Sequence, residues 1–104
     1  MKIYIAGPMT GLPGFNYAAF NEAEVCLRDC GHEVENPARN PAPEGGDWRD
    51  YMRQALRQMV GCDAVALLPD WQASRGAQIE MRLAIDLDLP VASVGAYVRA
   101  KAGD

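Results

Sequence analysis

Apolar residues recur along this chain in two rhythms. Short, nearly continuous runs at Lys2–Ala6 and Cys62–Leu68 read as buried strands, the second with the unbroken apolar character of a central parallel strand. Glu33–Asn36 and Pro90–Val94 read as two more, the first near a sheet edge. Elsewhere apolar positions return every three or four residues, the spacing of helices with one buried face. The first helix runs from an Asn16 N-cap to about Cys30, burying Tyr17, Phe20, Ala23 or Glu24, Leu27 and Cys30, with Gly31 as its stop. The second opens on Asp47 and Asp50, an N-cap and a third-position acid. It runs to Val60 on a stripe of Tyr51 or Met52, Ala55, Leu56, Met59 and Val60. The third opens on Ser74 and runs to about Asp88. Pro37–Gly46, with three prolines and two glycines, fits neither rhythm; it is the longest loop, of a kind that often covers a ligand. The tail from Tyr97, with Arg99 and Lys101, carries little pattern and reads as a short helix or a frayed end.

Strands alternating with helices predict βαβ units and a doubly wound α/β fold, Rossmann- or flavodoxin-like. The expectation is a parallel sheet of four to five strands, the four recognised ones in the order 2-1-3-4, with helices on both faces. That order sets the loop after strand 1 beside the loop after strand 3, at the strand ends where such sheets bind ligands.

Helical phase singles out one residue. Along the third helix Arg75, Gln78, Arg82 and Asp86 share a polar stripe, while Gly76, Glu80, Leu83, Ala84 and Leu87 fall opposite. Glu80 therefore sits in the face due for burial, where a carboxylate needs either a partner or a task. A structural carboxylate paired to a Tyr hydroxyl is one reading, and a functional one the other. Its place near a helix N-terminus favours the ionised form against desolvation. Beside it, Gly7–Gly14 packs three glycines, two prolines and Thr10 into eight residues between strand 1 and helix 1. It matches neither the dinucleotide fingerprint nor the P-loop. A plain turn accounts for it, and so does a backbone approach to a sugar or phosphate through Gly7, Pro8, Met9, Thr10 and Gly11. Asp70 and Trp71 follow the end of strand 3. Trp71 suits either stacking or interface packing. Asp63 opens that strand, away from the site loops, and reads as structural.

The rest of the composition narrows the class. A chain of 104 residues predicts one domain, residues 1–104, and no apolar stretch approaches the ~18 residues of a membrane span. The N-terminus opens on a strand, with no signal or transit peptide. A net charge of −4 argues against nucleic-acid binding, which needs a basic face, but leaves small anionic ligands open. Three cysteines, with Cys26 and Cys30 four apart on one helix, read as reduced thiols of a cytoplasmic protein rather than a metal site. His32, the lone histidine, follows the Gly31 stop and reads as an edge residue. Glu80, Ser74, Asp70, Trp71, Tyr4 and the Gly7–Gly14 loop would converge on one crevice. It offers a carboxylate, hydroxyls, an aromatic platform and a glycine loop, which suit sugar and base recognition with attack on an anomeric carbon. No metal or organic cofactor is implied.

Tyr4-Ile-Ala-Gly-Pro8, together with Ser74, Gly76, Ala77, Glu80 and the following Ala84, resembles the nucleoside 2-deoxyribosyltransferase superfamily, which includes deoxynucleoside 5′-monophosphate N-glycosidases. Tyr4–Gly14 with Cys62, Asp63, Leu67, Leu68, Pro69 and Trp71 looks closer still to a short phage- and prophage-borne branch labelled a domain of unknown function. The resemblance covers about residues 2–94. It implies that Glu80 is the nucleophile that takes the sugar from the base, that Tyr4 orients it, and that Ser74 contacts a 5′-phosphate. It also implies sites completed across subunits of a homo-oligomer, most simply a dimer, for which the Met81 and Ile85 flank is available. The chain departs from the pattern once. The superfamily acid that falls eight residues before Asp63 is here Ala55, which removes a group assisting at the sugar or the leaving base. Asp70 is the candidate replacement. The expected function is cleavage or base exchange at the N-glycosidic bond of a nucleotide or deoxynucleotide; a nucleotide-binding sensor or sequestering module is the alternative.

Overall fold

The computed structural model describes residues 1–102, so the last two residues of the tail lie outside it. Its strands and helices alternate as the two rhythms predict. They are β1 (Lys2–Ala6), α1 (Tyr17–Asp29), β2 (Glu33–Glu35), α2 (Trp48–Val60), β3 (Ala64–Leu67), α3 (Arg75–Asp86), β4 (Val91–Ser93) and α4 (Val94–Ala102). All four strands are parallel and lie in the order β2-β1-β3-β4. Tyr4 is in register with Glu35 on one side and Val65 on the other.

Strand residues point alternately to the two faces, and each face has its own helices. Ile3, Ile5, Ala64 and Ala66 pack with Phe20, Ala23 and Leu27 of α1, and with Val94 and Tyr97 of α4. Tyr4, Ala6, Val65 and Leu67 pack with Met59 of α2 and Ala84 of α3. Glu80 descends onto this second face, on the helix that also covers it with Ala77 and Ala84.

Local chemistry sets most helix starts. Asp47 accepts from the Asp50 amide and Asp50 from the Asp47 amide, a reciprocal box worth about 1 kcal/mol that fixes the entry to α2. Ser74 accepts from the Ala77 amide at 3.1 Å and starts α3. Asn16 departs from expectation. It is left-handed (φ 60°) and makes no side-chain cap; its amide donates instead to the Pro8 carbonyl at 3.0 Å. The loop before α1 takes a left-handed path through Gly14, Phe15 and Asn16, which aims the Asn16 side chain backwards rather than along the helix.

Other differences concern exposure and ends. Tyr17, Val60 and Leu87 are exposed, Cys30 is only half-buried, and of the alternatives Tyr51 and Met52 it is Met52 that turns inward. Leu87 misses the core because α3 stops at Asp86 and the chain turns through left-handed Asp88, leaving Leu89 to pack inward. Asn36 lies beyond β2, buried, accepting from the Ala38 amide and starting a short 3-10 turn at Pro37–Arg39. Val94 opens α4 rather than closing β4, and Tyr97 anchors that helix by donating to the Val65 carbonyl at 3.2 Å. His32 is half-buried, edge-on to Tyr97. Asp63 accepts from the Lys2 amide at 2.9 Å, the structural role expected of it. No helix among the described residues is long and apolar enough to cross a membrane.

Candidate active site

β1 and β3 end side by side, and their two loops meet closely because Gly7 has no side chain. A Cβ on Gly7 would lie 2.7 Å from the Leu68 Cβ and 2.8 Å from its Cδ1, inside van der Waals contact. Pro8 is buried and Met9 half-buried against the α1 face, whereas Thr10 and Gly11 are exposed. Gly11 (φ 83°) turns the loop, and Leu12 and Phe15 stand out from it with their side chains exposed.

Beneath this edge lies the pair that the helical phase anticipated. The Tyr4 hydroxyl donates to Glu80 Oε2, and the two residues are 1% and 5% exposed. Burial pushes the Glu80 carboxyl from 4.5 up to about 7, the hydrogen bond from Tyr4 offsetting only part of the shift. The Tyr4 hydroxyl is pushed well above its ordinary value, by burial first, then by the neighbouring Glu80 charge and their hydrogen bond. The sequence-level expectation that the helix N-terminus keeps Glu80 ionised does not prevail. Glu80 is the sixth residue of α3, past the first turn where the dipole acts, and desolvation wins. Glu80 Oε1 has no hydrogen bond among the described residues.

The first turn of α3 packs against α2. Gly76, one turn before Glu80, has the Met52 sulfur 3.1 Å from where its Cβ would be, so the two helices meet closely there. Next to it the Arg75 guanidinium lies over the Trp48 ring, 4.4 Å from the centroid. The Ser74 hydroxyl accepts one bond from its own helix and keeps its proton for another acceptor. Periodicity put Arg75 on a polar stripe, and it is exposed there; its stacking on Trp48 rests on the first residues of two helices and has no signal within either one.

Asp70 and Trp71 lie to the other side. Asp70 is exposed and left-handed (φ 65°), and with Trp71, Leu68, Ser93 and Gly95 it lines an open concavity of about 310 Å³ at the ends of β3 and β4. Neither Tyr4 nor Glu80 lines that concavity. Trp71 is half-buried and packs on the apolar cluster around Tyr4. Ala55, at the position of the absent acid, packs on the same cluster. Thus Tyr4 and Glu80 form one hydrogen-bonded pair, Ser74 and Gly76 open the helix that carries Glu80, and Asp70 lines the concavity at the ends of β3 and β4.

A family model described as "Domain of unknown function (DUF4406)" matches residues 1–93. No curated protein matches the chain significantly. Among solved structures, it is similar to 2-deoxyribosyltransferase from the psychrotolerant bacterium Bacillus psychrosaccharolyticus, a protein described as a biocatalyst for nucleoside synthesis. The identity is 27%, over 88% of this chain and 69% of that one, with a TM-score of 0.69. The fold is deoxyribosyltransferase-like.

Proposed function

We propose, from the premise that the chain belongs to the DUF4406 family, that it cleaves or exchanges the N-glycosidic bond of a nucleotide or deoxynucleotide. The carrying observation is the buried Tyr4–Glu80 pair at the β1–β3 end of a deoxyribosyltransferase-like fold. Tyr4 occupies Oε2 and leaves Oε1 for attack. Oε1 bonds to C1′ as the C1′–N bond breaks, its electron pair leaving with the base, which takes up a proton. Water or a second base then attacks C1′, breaks the ester and regenerates the carboxylate. Because the nucleophile must be ionised and its carboxyl titrates at about 7, activity rises with pH through that value.

Ala55 favours a second reading, a nucleotide-binding module that has lost the chemistry, since a methyl group packs where the assisting acid would be. One experiment separates the two. The protein is incubated with a panel of nucleoside and deoxynucleoside 5′-monophosphates, and free base is measured. The enzyme releases base, loses the activity in Glu80→Ala, and keeps or gains activity in Ala55→Asp. The module binds a nucleotide, releases no base, and changes only in affinity in Glu80→Ala. Base release that survives in Glu80→Ala defeats the covalent route. The outer flank of α3 supports self-association as a symmetric dimer. Ile79 and Ile85 are exposed there, and Met81, Ile85 and Trp71 line a groove of about 500 Å³ with Arg82 and Asp86. A monomeric mass in solution at micromolar concentration excludes that dimer.

A further inference from the structure

The charge of −4 is unevenly spread over the molecule. Arg49, Arg53 and Arg57 stand about one turn apart along α2, and all three are exposed. Arg75, exposed at the first residue of α3, flanks the start of that row, its guanidinium resting on the ring of Trp48, the residue before Arg49. None of the four makes a salt bridge among the described residues. Lys2, Arg28 and Arg39, by contrast, are each paired with a glutamate. The acids of the two helices offset little of this charge. Asp50 is bonded into the capping box, Glu80 is buried, and Asp86 is the last residue of α3.

Like charges one turn apart repel and weaken the helix that carries them. A row of three, left without counter-charges, points to a partner that supplies them. Four residues advance a helix by about 6 Å, so the row spans about 12 Å, the reach of roughly three successive phosphates of one nucleic-acid strand. Every member is an arginine, whose planar fork meets a phosphate through two parallel bonds. A membrane surface fits less well. The apolar stripe of α2 is already spent on the sheet, through Met59, Leu56 and Ala55, and leaves no face to insert among lipids.

We infer that the outer face of α2, with Arg49, Arg53 and Arg57 flanked by Arg75, docks on the phosphodiester backbone of a nucleic acid. The overall negative charge repels that partner at a distance, so the contact is local and weakens steeply with salt. Contacts to phosphates carry no sequence information, so any sequence serves. The net charge argued the other way because it averages this face with the acidic remainder.

The test is fluorescence anisotropy with labelled short duplex DNA, single-stranded DNA and RNA of mixed sequence, beside labelled polyglutamate. The wild type should bind the nucleic acids at low salt, and its duplex affinity should fall between about 50 and 200 mM salt with a log–log slope of about −3. Changing Arg49, Arg53 and Arg57 together to Gln should cost roughly tenfold or more at low salt and remove most of that slope. Arg53→Gln alone should reduce the slope by about one. Arg99→Gln takes an exposed charge from α4 instead and should change neither quantity. Thermal melts of the variants should match the wild type, since all these side chains are exposed. The order of duplex, single strand and RNA in affinity identifies which backbone is preferred. A wild type that binds none of them at low salt overturns the inference. So does binding undiminished in the triple variant, or an Arg99→Gln loss equal to that of Arg53→Gln, which would reflect net charge alone. Polyglutamate bound as tightly as the nucleic acids overturns it in favour of an acidic protein partner.

Discussion

Glu24 and Glu80 are hidden to the same degree, each 5% exposed on the inner side of a helix, and the protein treats them in opposite ways. Glu24 is held from three directions. Arg28 and Arg39 each reach it at 2.7 Å, and the Asn36 amide donates to it at 3.0 Å. Burial alone would raise its pKa, but these bonds and the two positive charges bring it below the ordinary carboxylate value. Glu80 has one neutral donor, Tyr4, and rises to about 7. A carboxylate kept for architecture is surrounded until nothing of it is free. One with an unbonded oxygen and an unrelieved burial cost is what a nucleophile needs, because the instability of the resting anion favours bond formation to carbon.

The sharpest way to break the comparison is to neutralise each carboxylate by one atom. Glu80→Gln should lower base release by roughly 10³-fold or more, while leaving the fold intact. It should even stabilise it. A carboxyl whose folded pKa is raised costs stability as pH climbs from the unfolded value toward the folded one. The gain in Glu80→Gln is thus absent below about pH 4.5 and grows through about 7, to at most about 3 kcal/mol. Thermal melts across that range would measure it. A variant less stable than wild type at pH 8 would place Glu80 with the structural carboxylates.

Glu24→Gln should do the reverse. Its folded pKa is lowered, so its contribution is present above the ordinary carboxylate pKa and is lost as pH falls through the folded value. The two arginines are more than half exposed and find water when the charge goes, which limits the loss to about 2 kcal/mol at pH 7. Denaturant midpoints would show it, and any activity should be unchanged per folded molecule.

Tyr4→Phe is the smallest and most discriminating change. It removes the one bond that lowers the Glu80 carboxyl, so the rising limb of the pH–rate profile should move up by about one unit or less. An unmoved limb would mean that the titrating group is not Glu80.

The contrast between the two acids was only half legible in the sequence. Periodicity put Glu80 inward because its phase depends on α3 alone, and the strand order that brings Tyr4 beneath it follows from general rules of parallel sheets. The same reasoning left Ala23 and Glu24 as alternatives for the α1 core, and both are buried. Part of what makes Glu24 tolerable there is Arg28, four residues on in the same helix, but the rest arrives from Asn36 and Arg39, beyond β2, where no local pattern announces them. The caps on Asp47 and Ser74 were legible for the first reason, being complete within four residues. Asn16 has the right residue type for a cap, but the left-handed turn before it decides otherwise. The stacking of Arg75 on Trp48 was not legible, because a helical wheel describes one helix and cannot show a second resting on it.

The placement of β1 between β2 and β3 also sets an order in time. Tyr4 pairs with Glu35 on one side but waits for Val65 on the other, and for Glu80 beyond that. During synthesis from the N-terminus, the second residue of the chain is already made while the strand that will flank it is more than sixty residues from being translated. At about 5–20 residues per second, β1 spends several seconds with one edge unpaired. Pairings this distant in sequence are slow to close, and an apolar strand with an open edge can join to other chains. The nascent protein is therefore most vulnerable to aggregation before β3 emerges, and its site forms only after that period has passed.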